Sequence, residues 1–405
     1  MLLRPAWLEI NLSALADNLH NLKSVLSPHQ QIIAVIKANA YGHGAIPVSR
    51  VALASGAGRL AVALVQEAVE LRQDGCAAPI LILSAVPRDA APVLVEQQIE
   101  APLTDLEGAE ALSRPAQRLG RPALAHLKVD TGLNRLGVRT EEIAAFCTAL
   151  RDLPGLEITG IFTHFSSAAD DPEATMEQFT LFKQAIAEAE AVLGHRLPVR
   201  HACNSAATVR YPEAWLDAVR PGALVYGIPR NRGGLYMPEM RPVLALRARL
   251  AAVKAIRAGE YVGYDRSWQA PQDTLLGLLP LGYSDGWDRR LSNRGHVLLH
   301  GKRCPIVGRV CMDTTIVDLS AAPEAEVDDV ATLIGEQGEE EIQIHDLAET
   351  CETVHQEFVS RLGTRLPREY FHEPGDTRVR AALADKEELL TDAPLRHRTS
   401  PGQYR

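Results

Sequence analysis

Eight short apolar runs, at residues 32–36, 60–64, 79–83, 99–103, 123–129, 156–162, 199–203 and 218–223, alternate with amphipathic stretches, among them 67–72, 106–119, 141–151 and 172–193. This alternation limits the possible folds more than any other feature of the chain. A strand followed by a helical crossover brings the next strand back parallel to the first, so the pattern predicts a parallel sheet covered by helices. Eight such units in about 200 residues predict a closed (β/α)8 barrel. Another helix is expected at 13–26, ahead of the first strand, with Ser13 as its N-cap and Leu15, Leu19 and Leu22 on one face.

Past residue 240 the texture changes. "HVLLHGKRCPIVGRVCMDTTIVDL" is strand-rich and punctuated by glycine, which reads as a mostly β region. The fold class expected is therefore α/β: a (β/α)8 TIM-like barrel at 13–240 followed by a mostly β C-terminal domain at 241–372. Residues 1–12 are expected to pair with that second domain. Helices near 345–350 and 354–362 would close it. The polar stretch 373–405 is expected to be poorly ordered, with at most a short helix near 379–390.

The 405 residues exceed one ordinary core, in keeping with two domains. The net charge of −9 is spread without long runs, which argues against a nucleic-acid surface. No apolar run approaches the ~18 residues of a membrane span, and the start lacks the pattern of a signal peptide. The six cysteines are scattered without a C-x-x-C pair, so neither a metal clip nor a disulfide framework is expected, and a cytoplasmic setting is. H-E-x-x-H, P-loop and G-x-G-x-x-G patterns are absent, which leaves metalloprotease, nucleotide-hydrolase and dinucleotide readings without support.

In a barrel, chemistry sits at the C-terminal ends of the strands. "AVIKANAYGHG" carries Lys37 out of an apolar strand into a polar turn with Tyr41. "KVDTGLNRLG" supplies Lys128 and Arg135, "THFSSA" supplies His164, "CNSAA" supplies Asn204 and Ser205, and "RPGALVYG" brings Arg220, Gly222 and Ala223. Each has a bland reading: a solvated lysine, a satisfied core histidine, a routine N-cap, a surface arginine. Their convergence on one face favours a site. Barrels often hold phosphate at the ends of strands seven and eight, where Ser205 and the Gly222 backbone offer donors. A phosphate there and a lysine from strand one suggest pyridoxal phosphate.

At this point the motifs match a family. The chain resembles alanine racemase, a pyridoxal-phosphate enzyme of fold type III, over roughly residues 5–370. "VGYDRSW", "LGYSDGW" and "GRVCMD" continue the family's order through the second domain. The resemblance implies that Lys37 carries the cofactor and is one of two catalytic bases. Tyr264 matches the opposite base, reaching the active site of the other subunit of a homodimer with shared sites. Tyr41, Ser205, Gly222 and Ala223 match phosphate contacts, and Asn204 is placed with them among the cofactor-binding residues. Arg220 matches the residue facing the pyridine nitrogen, and His164 the link between Arg220 and Tyr264. Arg135 and the Met312 backbone match contacts to the substrate carboxylate, and Tyr283 and Tyr264 line the entrance. Lys128 matches a lysine often carbamylated in the family. The implied activity is interconversion of L- and D-alanine, with D-alanine supplied for peptidoglycan. One departure stands out: Thr364 falls where many members carry a phosphate-contacting tyrosine.

Two bases on opposite faces let a proton leave one side of a carbon and return to the other without a single group swinging round the substrate. Lysine and tyrosine ordinarily titrate near 10, so both need lower values to act at neutral pH. Arg220, always charged, cannot accept a proton from a ring nitrogen as a carboxylate would. That separates this chain from the fold-type III decarboxylases, which pair that nitrogen with a carboxylate. A non-catalytic cofactor carrier and a scaffold with a dead site are the remaining rivals; Lys37 and Tyr264 argue against both. Tyr264, Tyr283 and Met312 suggest a small substrate side chain, with serine or a broader range of amino acids still open.

Overall fold

In the computed structural model, residues 4–228, 239–386 and 389–390 are described. All eight apolar runs become strands: Gln31–Val35, Ala57–Val62, Ile80–Ile82, Ala101–Leu103, Ala123–Asp130, Leu156–Phe162, Val199–His201 and Ala218–Val219. Neighbours pair parallel, and Ala218–Val219 returns to Gln31–Val35. The remaining gap is bridged between Leu81 and Glu100. There Ile82 N donates to Glu100 O at 3.0 Å and Glu100 N to Ile80 O at 2.9 Å. Eight strands thus close into a TIM-like barrel.

The period of two decides what faces where. Ile32, Ala34, Leu60 and Val62 join the large core beneath the helices. The alternate residues Ile33, Val35 and Ala61 form a small separate cluster with Val199 and Ala218 inside the barrel. Much of the remaining interior is taken by the buried polar side chains Arg59, Glu100, His126, Lys128, His201 and Arg220, and that sets up the site.

Helix Leu12–Val25 begins one residue earlier than its apolar spacing suggests. Its N-cap is Asn11, whose side chain accepts from Ala14 N at 3.0 Å, and not Ser13. The strand before it runs straight into the helix, so Ser13 is already buried and its hydroxyl accepts from Glu373 N at 2.9 Å.

That strand, Ala6–Asn11, pairs antiparallel with Leu244–Arg249 and parallel with Arg368–Phe371. Its sheet continues through Val330–Gln337, His296–Leu299 and Lys302–Pro305. A second sheet joins Ala252–Ile256, Thr274–Leu279 and Thr315–Asp318. A small hairpin, Tyr261–Val262 with Trp268–Gln269, flanks Tyr264. Helices Ile344–Thr350 and His355–Ser360 lie near their expected places.

The stretch after Glu373, expected to be poorly ordered, is docked at its start. Helix Thr377–Ala382 packs on helices Leu12–Val25 and Ala45–Ala54. Val379 and Leu383, one helical turn apart, are fully buried, and Arg378 pairs with Asp17 at 2.8 Å. The expectation for residues 391–405 lies outside the described residues. The six cysteines are all free. Among the described residues no helix is long and apolar enough to cross a membrane, and no three His, Cys, Asp or Glu side chains are grouped to hold a metal ion.

Candidate active site

A cavity of about 720 Å³ opens at the C-terminal ends of the barrel strands. Lys37, Tyr41, Arg135, His164, Asn204, Ser205, Arg220, Gly222 and Ala223 all line it, so the structure brings these sequence-predicted residues together.

Lys37 leaves its strand into an unusual turn. Ala38, Asn39 and Ala40 have φ of 53°, 53° and 55° with ψ of 50°, and Tyr41 has φ of 52°. Non-glycine residues in this left-handed conformation cost about 1–2 kcal/mol each. The surroundings hold them there. Glu67 accepts from Ala38 N at 2.5 Å, and from Ala63 N and Leu64 N at 2.8 and 3.0 Å. Asn39 accepts from Ala45 N at 2.7 Å. His43 Nδ1 lies 2.9 Å from the carbonyls of both Ala40 and Tyr41; since carbonyls only accept, Nδ1 carries the proton. The result is to aim Lys37 and Tyr41 into the same cavity. Exposed Ala38→Gly should raise stability by about 1 kcal/mol by removing one Cβ penalty, measured as a higher Tm, whereas Ala38→Val should lower it.

The electrostatics are cationic. Burial pulls the Lys37 amine below its ordinary value and Arg135 adds to this, against an opposing pull from Glu67. Burial, then Arg135 and Arg220, bring Lys128 down to about 8; it donates to Leu83 O at 2.7 Å. Burial and Arg220 push His164 down to about 3, so it is neutral. Arg220 is buried, and burial lowers it to about 10, still charged at neutral pH. Its Nη2 donates to Thr163 O at 2.6 Å and Ala202 O at 3.0 Å, and faces His164 Nδ1 at 3.5 Å; its Nη1 donates to His201 Nδ1 at 2.8 Å. Carbonyls and imidazoles, not carboxylates, hold this cation.

In the same cavity Ser205 Oγ accepts from Gly222 N at 2.9 Å and Leu224 N at 3.3 Å, which leaves its proton free for the cavity. Tyr41 lies directly over Gly222: a Cβ there would stand 2.5 Å from the phenol oxygen. Burial pushes the Tyr41 phenol up to about 12, so it is a donor. Two hydroxyl donors over a side-chain-free backbone fit a phosphate group. The Asn204 side-chain oxygen is engaged in capping helix Ser205–Arg210, accepting from Ala207 N at 3.0 Å.

Tyr264, Tyr283 and Met312 do not line the cavity of their own chain. Tyr264 is 69% exposed and Met312 54%. Tyr283 borders a different recess with Trp287 and Arg361. Gly282 lets the Met312 loop close on the turn at Tyr283, since a Cβ there would be 2.1 Å from Cys311 O. Thr364 is exposed and does not line the cavity, whose wall from the second domain is Val354, His355 and Gln356.

Sequence reasoning missed His201, His126 and Glu67. His126 lies two residues before Lys128 on one strand, hence on the same face, so the period of two could have revealed it. Glu67 has no such signal, because its role exists only through a crossing between two βα units.

The family descriptions "Alanine racemase, N-terminal domain" and "Alanine racemase, C-terminal domain" match residues 10–229 and 243–370. An alanine racemase of Desulfovibrio desulfuricans is 42% identical over 368 residues, covering 91% of this chain and 98% of the relative. One of Halothermothrix orenii is 38% identical over 373 residues, covering 92% and 98%. Among solved structures, alanine racemase from Bacillus anthracis with bound L-Ala-P superposes with a TM-score of 0.86 at 32% identity, covering 91% of this chain and 96% of that one. Alanine racemase of Clostridium difficile gives 0.87 at 31%, covering 92% and 97%.

Proposed function

Because this chain belongs to the alanine racemase family, we propose that it interconverts L- and D-alanine with pyridoxal phosphate, by two bases on opposite faces of the substrate. The observation that carries this reading is the setting of Arg220, a buried cation held by carbonyls and neutral imidazoles in the cavity that Lys37 also lines. When bound, pyridoxal phosphate supplies a covalent anchor for the amino acid and an electron sink for its α-carbon. Lys37 would hold it covalently, Arg220 would face its ring nitrogen, and Ser205, Tyr41 and the backbone at Gly222 and Ala223 would hold its phosphate, with Asn204 capping the helix behind.

Lys37, lowered by burial, takes or gives the proton on one face. Tyr264 of the partner subunit does so on the other, in a homodimer with shared sites. Its exposure and its absence from the lining of its own chain's cavity support supply in trans. His164, neutral and facing Arg220 through Nδ1, carries its proton on Nε2 and can donate it toward that phenol. Arg135, with the partner's Met312, orients the substrate carboxylate. Lys128, near 8, is uncharged often enough to take up carbon dioxide as a carbamate facing Arg135. Tyr264 and Tyr283 of the partner subunit narrow the entrance. We place the enzyme in the cytoplasm, supplying D-alanine for peptidoglycan.

Adding D-alanine and following optical rotation together with carbon dioxide release tests the reading. Loss of rotation without gas is expected; gas release would indicate a decarboxylase, and neither change would sink the activity. Borohydride should fix the cofactor on Lys37, and label on another lysine would overturn that assignment. Gly222→Ala should weaken pyridoxal phosphate binding about 10- to 100-fold by displacing Tyr41, the worth of one charge-assisted hydrogen bond; equilibrium dialysis measures it.

A further inference from the structure

Branched aliphatic side chains usually fill the interior of such a barrel. Here Arg59, Glu100, His126, His201 and Arg220 are buried in it. They form a line from the N-terminal ends of the strands to the cavity. Arg59 Nη1 donates to Glu100 Oε2, and Thr159 Oγ1 donates to Glu100 Oε1 at 3.3 Å. His126 Nε2 faces Glu100 Oε2 at 3.8 Å. His126 Nδ1 lies 2.9 Å from His201 Nε2, and His201 Nδ1 lies 2.8 Å from Arg220 Nη1.

Arginine has donors and no acceptor, so all the hydrogen bonds of this line can form together in only one arrangement of protons. His201 Nδ1 must accept from Arg220, so His201 carries its proton on Nε2 and gives it to His126 Nδ1. His126 then carries its own proton on Nε2, turned toward the Glu100 carboxylate. Both rings are neutral in this arrangement. Burial lowers His126 and His201, the latter well below its ordinary value. Burial alone would raise Glu100, but His126 and Arg59 outweigh it and hold the carboxyl at about 2.

The surroundings are shaped for these rings. Gly160 stands where any Cβ would come within 2.5 Å of His126 Cε1 and of Val199 O. Phe162 stacks on His201 at 5.1 Å and 4°. A buried ion pair with polar followers is weak ground for stability, because aliphatic replacements are often neutral or better. The value of the line lies in what it orients.

We propose that Glu100 and His126 are positioning residues for Arg220: they hold His201 in the one tautomer that can accept from the guanidinium, and so fix a cation at the ring-nitrogen position without a carboxylate beside it. This rests on the reading of Arg220 given above. Neither residue touches the cavity; both act through His201.

The test uses 15N-histidine-labelled protein without cofactor, together with turnover of the holoenzyme. In the parent apoprotein His201 should show a single neutral tautomer with the proton on Nε2 between pH 6 and 8. A protonated ring, or a proton on Nδ1, overturns the proposal whatever the variants do. His126→Leu removes the acceptor, so His201 should show mixed or altered tautomers, and kcat should fall about 10- to 100-fold, the cost of a misplaced orienting contact, with KM for alanine little changed. His126→Gln can accept from His201 and donate to Glu100, and should restore the parent spectrum and most of kcat. Parent-like spectra and kcat in His126→Leu would make the line mere filling and overturn the proposal, as would an equal loss in both variants. The apoprotein spectra need neither alanine nor cofactor, so a parent that fails to racemise alanine would overturn the functional reading alone.

Discussion

Replacing Tyr264 by phenylalanine should cost racemase turnover a factor of about 10²–10⁴, the usual contribution of one positioned acid–base group. The ring keeps its shape and loses only the hydroxyl. The other base, Lys37, remains, so one enantiomer of alanine, and not both, should still exchange its α-hydrogen for deuterium from solvent. A single-base enzyme would lose exchange and racemisation together. The same design gives a mixing test of the shared site. Tyr264 is 69% exposed and does not line its own chain's cavity, so Lys37→Ala and Tyr264→Phe chains should complement when co-assembled. With random pairing half the dimers are mixed, and one of their two sites has both bases intact, so about a quarter of parent activity should return from two inactive variants. If mixing restores nothing, each site is built from one chain; if Tyr264→Phe turns over at the parent rate, the opposed-base mechanism is wrong.

The barrel was legible because it is periodic. Each of the eight strands repeats one choice, apolar against the helices, and even the short run at Ala101–Leu103 could be placed by its neighbours. Lys37 was legible as a candidate because a charged residue ends an apolar strand at the face where barrels hold their chemistry, and it does line the cavity there. What remained hidden depends on contacts between distant segments. The left-handed turn after Lys37 cannot be read from Ala38 and Ala40, residues that ordinarily avoid it; it exists because Glu67 and Asn39 pin it and His43 ties its carbonyls together. Helix Thr377–Ala382 looked like part of a polar tail because Val379 and Leu383 are the only buried residues between 374 and 386. Asn11, two residues earlier, displaced Ser13 as the cap because the strand turns directly into the helix, which apolar spacing does not specify.

Lowering the pH from 6.5 toward 5 should destabilise the protein steeply, before its carboxylates begin to titrate. Burial holds His43 down to about 4 and His164 to about 3, and it also lowers His126 and His201. All four are neutral in the folded chain, and unfolded histidine titrates near 6.5. Between the folded and unfolded values the unfolded chain binds more protons, so the stabilisation is complete above pH 6.5 and is lost as pH falls through the window. Each group contributes about 1.4 kcal/mol per pH unit there. The three held furthest down, His43, His164 and His201, together approach about 4 kcal/mol per unit, a large share of the stability of an ordinary domain. Glu100 and Asp376, each held at about 2, lose their stabilisation only below their unfolded values near 4, so the second loss sets in well below the onset of the first. Urea midpoints at pH 7.5, 6.5 and 5.5 would measure this. A flat profile across that range would mean that the rings are protonated when folded, which Arg220 beside His201 and His164 forbids. His43→Gln, away from Arg220, should lessen the slope by about a third. The acid sensitivity therefore follows from the same neutrality that makes His201 and His164 acceptors for Arg220: imidazoles that orient a cation cannot also become cations while the barrel stays folded around them.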